Sequence, residues 1–149
     1  MAFRISPYLL LGLLLIALGG IWFSIRAETW APSPVFPAVV ERDCAPWDGS
    51  AFTVSIQLRD RSRIAISIYR SPEIERPISF SFPDESMSNG DALLVLPVGA
   101  PRRLSGEVWF ERVHQGTPVE GRFQFRTESW TQLEGRFLAE WGAEIIYCG

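Results

Sequence analysis

His114 is the one histidine of the chain, and it sits beside Gln115 and Gly116 in a turn-like stretch. Histidine chemistry needs company: a nucleophile and an orienting acid for catalysis, or further ligands for a metal. Glu111 lies three residues upstream. On a strand that spacing puts the two side chains on opposite faces. His114 therefore reads as a surface turn residue, with catalysis or metal binding as the alternative. Asp84, Glu85 and Asp91 stand with Ser86, Ser88 and Asn89 in an oxygen-rich loop of the kind calcium uses. An EF-hand wants glycine and glutamate where this loop, counted from Asp84, has Asn89 and Val95. A solvated turn is the better reading.

All 14 basic residues are arginine, so no side-chain amine serves Schiff-base or general-base chemistry. Arg59, Arg61 and Arg63 form one basic turn and Arg102-Arg103 a second. Both read as charged hairpin ends, with contact to lipid phosphates or an acidic partner as the functional alternative. Asp60 offsets part of the first group. Glu107, Glu111, Glu120 and Glu134 are scattered, and no spacing selects an acid/base pair among them. Glycine-rich phosphate loops, GxSxG, HExxH and CxxC are absent from the sequence. No catalytic, cofactor or metal residue is assigned.

The cysteines are Cys44 and Cys148. They lack zinc or redox spacing and bracket the last two-thirds of the chain. In an oxidising compartment they would join the ends of one domain; two buried thiols are the alternative. Closing a loop of about 100 residues is worth roughly 4–5 kcal/mol in the chain-entropy model.

The chain has 149 residues, room for one domain, and a net charge of −3. Across residues 1–43, Arg4, Arg26 and Arg42 balance Glu28, Glu41 and Asp43. The excess negative charge thus lies beyond them, which argues against nucleic acid as a partner.

From Tyr8 to Ile25 the sequence YLLLGLLLIALGGIWFSI carries no charge. As a helix it is about 27 Å long, near the hydrocarbon thickness. Residues 1–26 read as a transmembrane signal-anchor. Tyr8 marks one membrane interface and Trp22, Phe23 and Trp30 the other. A cleaved signal is the rival, but cutting after Gly19 leaves an apolar terminus, and Ala27 has bulky Ile25 at its −3 side. Arg4 keeps the N-terminus cytoplasmic and places the rest outside the inner membrane. Residues 27–43, with prolines at 32, 34 and 37, read as a stiff tether. Within it VFPAVV suits a short edge strand.

Residues 44–149 read as an all-β domain: an antiparallel sandwich or small barrel of about eight strands. Phe52, Val54, Ile56 and Leu58 alternate with polar residues, and so do Ile64, Ile66 and Ile68, then Ile78, Phe80 and Phe82. Ala92–Val98 is apolar on both faces. Three glycine-led strands follow at Gly106, Gly121 and Gly135, the last two within a repeated EGRF. They predict a meander with turns at 114–118 and 128–131. A last strand is expected over 144–148.

Val108 and Phe110 share an inward face, so Trp109 points outward between Glu107 and Glu111, as an interface anchor would. Leu94 and Leu96, or else Leu93 and Val95, must also leave the main face. Trp109, Leu94, Leu96, Arg59, Arg61, Arg102 and Arg103 are the candidate partner contacts. The whole predicts a non-enzymatic, membrane-anchored accessory subunit of a larger membrane complex, respiratory or photosynthetic complexes being suitable hosts. Its partners are membrane lipids and other membrane subunits. The alternative is a free-standing envelope module that binds a ligand in a barrel mouth or sandwich groove.

Overall fold

Period-two alternation fills this chain with strands, and the computed structural model shows where they pair. It describes residues 33–84, 88–143, 146 and 148. The expected anchor, with Tyr8, Trp22 and Phe23, lies outside these residues, as do Trp30 and Glu85.

Among the described residues the regular structure is all β, without a helix. The strands run β1 (Val35–Cys44), β2 (Ser50–Gln57), β3 (Arg63–Ile68), β4 (Glu73–Ile74), β5 (Ile78–Phe82) and β6 (Gly90–Val95). They continue with β7 (Arg102–Arg103), β8 (Ser105–Phe110), β9 (Val113–His114), β10 (Val119–Arg126) and β11 (Gln132–Trp141). Nine of them make one sheet in the order β5-β8-β10-β11-β1-β2-β3-β6-β7, and β4 pairs with β9 in a separate ribbon.

The sheet is curled into a half-barrel. Only Leu104 separates β7 from β8, yet β7 ends the strand order on one side and β8 is next to last on the other. One run of chain, Arg102–Phe110, thus serves both margins. The Leu104 N–H donates to the Ala92 carbonyl at 2.9 Å and carries the β6 pairing to the junction.

The inner face is packed with side chains from every long strand. Phe110 meets Phe52, Phe80 and Phe137 at ring-centroid distances of 5.6, 6.0 and 5.9 Å. The Phe52 contact spans the interior, since β2 and β8 are not sheet neighbours. Val54, Ile56, Ile64, Ile66, Ile68, Val108 and Phe125 are fully buried. The repeated EGRF has a packing reason. A Cβ on Gly121 would strike the Phe137 ring, and one on Gly135 would strike the Phe36 ring.

The expected meander is present: β8, β10 and β11 pair in succession, antiparallel. Two readings are corrected. The proline-bearing stretch expected as a tether up to Asp43 becomes β1 from Val35 onward. It lies in mid-sheet, parallel to β11 and antiparallel to β2, and not at an edge. Pro37 is tolerated for a local reason. Pro34 and Val40 carbonyls accept from Arg136 and Gly142 on the β11 side, so even-numbered residues bond that way. Pro37 faces the other side, where the β2 ladder starts only at Ala38. No donor is lost. Leu94, offered as a surface contact, is a core residue, and Leu96 packs half-buried against the core. The outward pair is Leu93 and Val95, because β6 starts at Gly90 and sets the inward parity on Ala92 and Leu94. Of the strand expected at 144–148, residues 144, 145 and 147 lie outside the described residues, and Ile146 and Cys148 are not in a strand.

Candidate functional site

Strand direction sorts the loops between two ends of the half-barrel. β1 begins at one end. The β2–β3 turn (58–62), the β6–β7 loop (96–101) and the β10–β11 turn (127–131) lie there too, as the registers require. The 45–49 loop and the 111–118 segment lie at the other.

The end where β1 begins collects the arginines. Arg63 pairs with Val95, and its neighbour Leu94 pairs with Arg102, so the two basic groups that are separate in sequence share one rim. Arg59, Arg61 and Arg102 are all exposed there, joined by Arg63 and Arg126, while exposed Arg103 lines a depression with Asp84 and Asp91. The carboxylates on these segments are Asp60 and Glu128. Hydrogen bonds from the Ser62 hydroxyl and backbone N–H hold Asp60 below the usual carboxylate range. Buried Ser62 locks this turn further: its carbonyl accepts from Leu58 N at 2.9 Å and from Gln57 Nε2 at 2.9 Å. In the 127–131 turn the Thr127 carbonyl accepts from Trp130 N at 2.9 Å, and its hydroxyl accepts from Thr131 N at 3.1 Å. Trp130 is left 79% exposed.

On the outer face Trp109 lies between Ser79 of β5 and Arg122 of β10, with Arg136 next in the row. The Arg122 guanidinium sits 4.7 Å from the Trp109 ring centroid, so the indole is half covered by a cation. Val35, Val39 and Leu138 are exposed on the same face, and the register sets Leu138 beside Pro37, between those valines. An open depression of about 340 Å³ flanks the Trp109 row, lined by polar Ser81, Ser105, Glu107, Gln124 and Arg126.

The opposite end holds a group the sequence spacing did not reveal. The β4–β9 ribbon pairs Glu73 with His114, and Nδ1 of the imidazole meets a Glu73 carboxylate oxygen at 2.6 Å. With Glu75, their ligand atoms all lie within 4.8 Å of one another, and all three side chains are exposed. Imidazole and two carboxylates are donors suited to a divalent transition metal. Arg112 lines the same depression as Glu75 and His114 and opposes a cation there. Glu73 and His114 are far apart in sequence, so only the ribbon register could have paired them. Glu111, three residues from His114 in sequence, is not part of the group.

Hydroxyls and carboxylates also line the outer face near the disulfide. The Tyr69 hydroxyl donates to Asp91 at 2.8 Å, and the Thr53 hydroxyl donates to Asp43 at 2.8 Å. Burial, then the bond to Asp91, pushes the Tyr69 phenol up to about 12. Asp91 is thus tied to Tyr69, while Asp84 accepts from Ser88 Oγ at 3.1 Å and from Asn89 N at 2.9 Å. The acidic loop is a hydrogen-bonded turn in its described residues. Cys44 and Cys148 form a disulfide with Cα atoms 5.5 Å apart.

Comparison with protein-family models, with curated proteins and with solved structures found no match to this chain.

Proposed function

We propose that this chain is a non-enzymatic accessory subunit of a larger membrane assembly. It is held by the apolar segment Tyr8–Ile25 and braces the extracytoplasmic side of that assembly. Complexes of respiration or photosynthesis are hosts that suit it. The observation that carries the reading is the division of labour between the two faces of the sheet. Phenylalanines and isoleucines fill the inner face, while Val35, Val39 and Leu138 are exposed on the outer one and Trp109 is half-buried there beside Arg122. Apolar residues clustered on a rigid outer face and bordered by charges are the usual chemistry of a protein contact. The Cys44–Cys148 disulfide favours an oxidising compartment.

The alternative, a free-standing envelope module, would have to take its ligand on that outer face. The polar depression beside Trp109 is the place for it.

Purification of the full chain in mild detergent separates the two. The subunit reading expects co-migration with a large complex, and a monodisperse monomer refutes it. Trp109→Ala should loosen incorporation without lowering the melting temperature by more than a few degrees, because its ring is half covered and outside the core. Unchanged incorporation would remove Trp109 from the interface.

A further inference from the structure

We propose that the end of the half-barrel where β1 begins is built to lie on an anionic phospholipid surface. The inference rests on the anchor reading of Tyr8–Ile25.

The first observation is charge. Five arginines, Arg59, Arg61, Arg63, Arg102 and Arg126, share this end with two carboxylates, Asp60 and Glu128, a surplus of three positive charges, while Arg103 lines a depression with Asp84 and Asp91. The chain as a whole is at −3. Upstream of Ser33, Arg4 and Arg26 against Glu28 leave +1, so residues 33–149 carry −4 and the rest of this body carries −7. An acidic protein with one basic end orients itself on an anionic surface and repels it with the other end.

The second observation is what the loop tips present. Trp130 is 79% exposed and Val98 is 87% exposed, with Val35 exposed where β1 begins. Indole and short aliphatic groups among arginines are the chemistry of the headgroup layer. The Trp130 turn and the Arg61 turn share a backbone feature. Each places a bulky side chain in the left-handed region, with φ of 63° at Trp130 and 67° at Arg61. Glycine or asparagine takes that conformation more readily. Asp48 in the 45–49 loop at the opposite end has the same conformation, with φ of 61°, so what marks this end is the arginine and the tryptophan that its two turns hold out.

The test uses the full chain in nanodiscs of phosphatidylcholine, with and without phosphatidylglycerol, read by amide hydrogen exchange. Near an anionic surface each arginine is worth about fivefold in the contact equilibrium. Exchange in 58–62, 96–101 and 127–131 should slow at least about fivefold with phosphatidylglycerol, while 111–118 at the other end stays unchanged. The triple variant Arg59→Gln, Arg61→Gln, Arg102→Gln should lose the slowing. Trp130→Asn, which suits the left-handed turn, should lose it at 127–131 while the fold is kept. Equal exchange in both lipids overturns the proposal and leaves the arginines to an acidic protein surface, and so does slowing at 111–118. A full chain that never enters the nanodisc overturns the anchor reading as well, a result distinguishable from inserted protein with unprotected loops.

Discussion

Replacing both Cys44 and Cys148 by serine should cost this protein a large part of its stability, and the mechanism can be read out. The disulfide closes a sequence separation of 104 residues, nearly the whole described body. In the chain-entropy model such a loop is worth about 4.7 kcal/mol. A domain of this size melts lower by about 3–5 °C per kcal/mol, so the double variant should melt roughly 14–24 °C below the oxidised protein. The effect acts on the unfolded chain, because β1 and β11 are already held together by their parallel ladder from Val35 to Val40. Two further results are therefore expected. The denaturant m-value should rise, since the uncrosslinked unfolded state exposes more surface. Native hydrogen exchange in mid-β1 should show the global loss without a new local opening. The assay is thermal and urea unfolding of the full chain in detergent, with near-ultraviolet circular dichroism as the probe. Oxidised and serine proteins melting within about 3 °C of each other would refute the chain-entropy account. A large loss with an unchanged m-value would place the stabilisation in the native state instead.

Other outcomes follow from the same structure. Phe110→Ala, at the junction of three ring contacts, should destabilise the domain by about 3–5 kcal/mol in urea unfolding. Gly106→Ala should also destabilise it, since the residue has φ of 140° and a Cβ would overlap the Gln124 carbonyl oxygen. Gly116→Ala, at φ of 83° in an open turn, should cost less, because only backbone strain opposes it. Tyr69, raised to about 12, should form tyrosinate late in a spectrophotometric titration, and Tyr69→Phe should remove that component. The sign follows from linkage: between the ordinary phenol value near 10 and about 12 the folded protein holds a proton that the unfolded chain releases. The Tyr69 contribution is therefore full below pH 10 and is lost as pH rises through 12, so the wild type should lose more stability over that window than Tyr69→Phe.

What could be read along the chain was local. Phe52, Val54 and Ile56 face inward because a strand repeats every two residues, and the same rule turns Trp109 outward between Val108 and Phe110. The meander was legible because β8, β10 and β11 each alternate clearly and follow one another along the chain, with only the two-residue β9 between the first two. Leu93 to Leu96 was ambiguous because an apolar run offers no parity until its first residue is fixed. β1 was misread for the opposite reason: three prolines dominate its neighbourhood, and the donor that Pro37 lacks matters only once the neighbours are known.

Residue order alone determined the all-β class of the body, the inward faces of its clearly alternating strands and the cysteine pair at its ends, because alternation and bracketing are visible without knowing any partner. Three-dimensional pairing decided the rest: β1 beside β11, Glu73 against His114, and separate arginine turns gathered on one rim with Trp130. Those neighbours are distant in sequence, and which strands meet is set by the packing of the whole curled sheet, which no short stretch of chain contains.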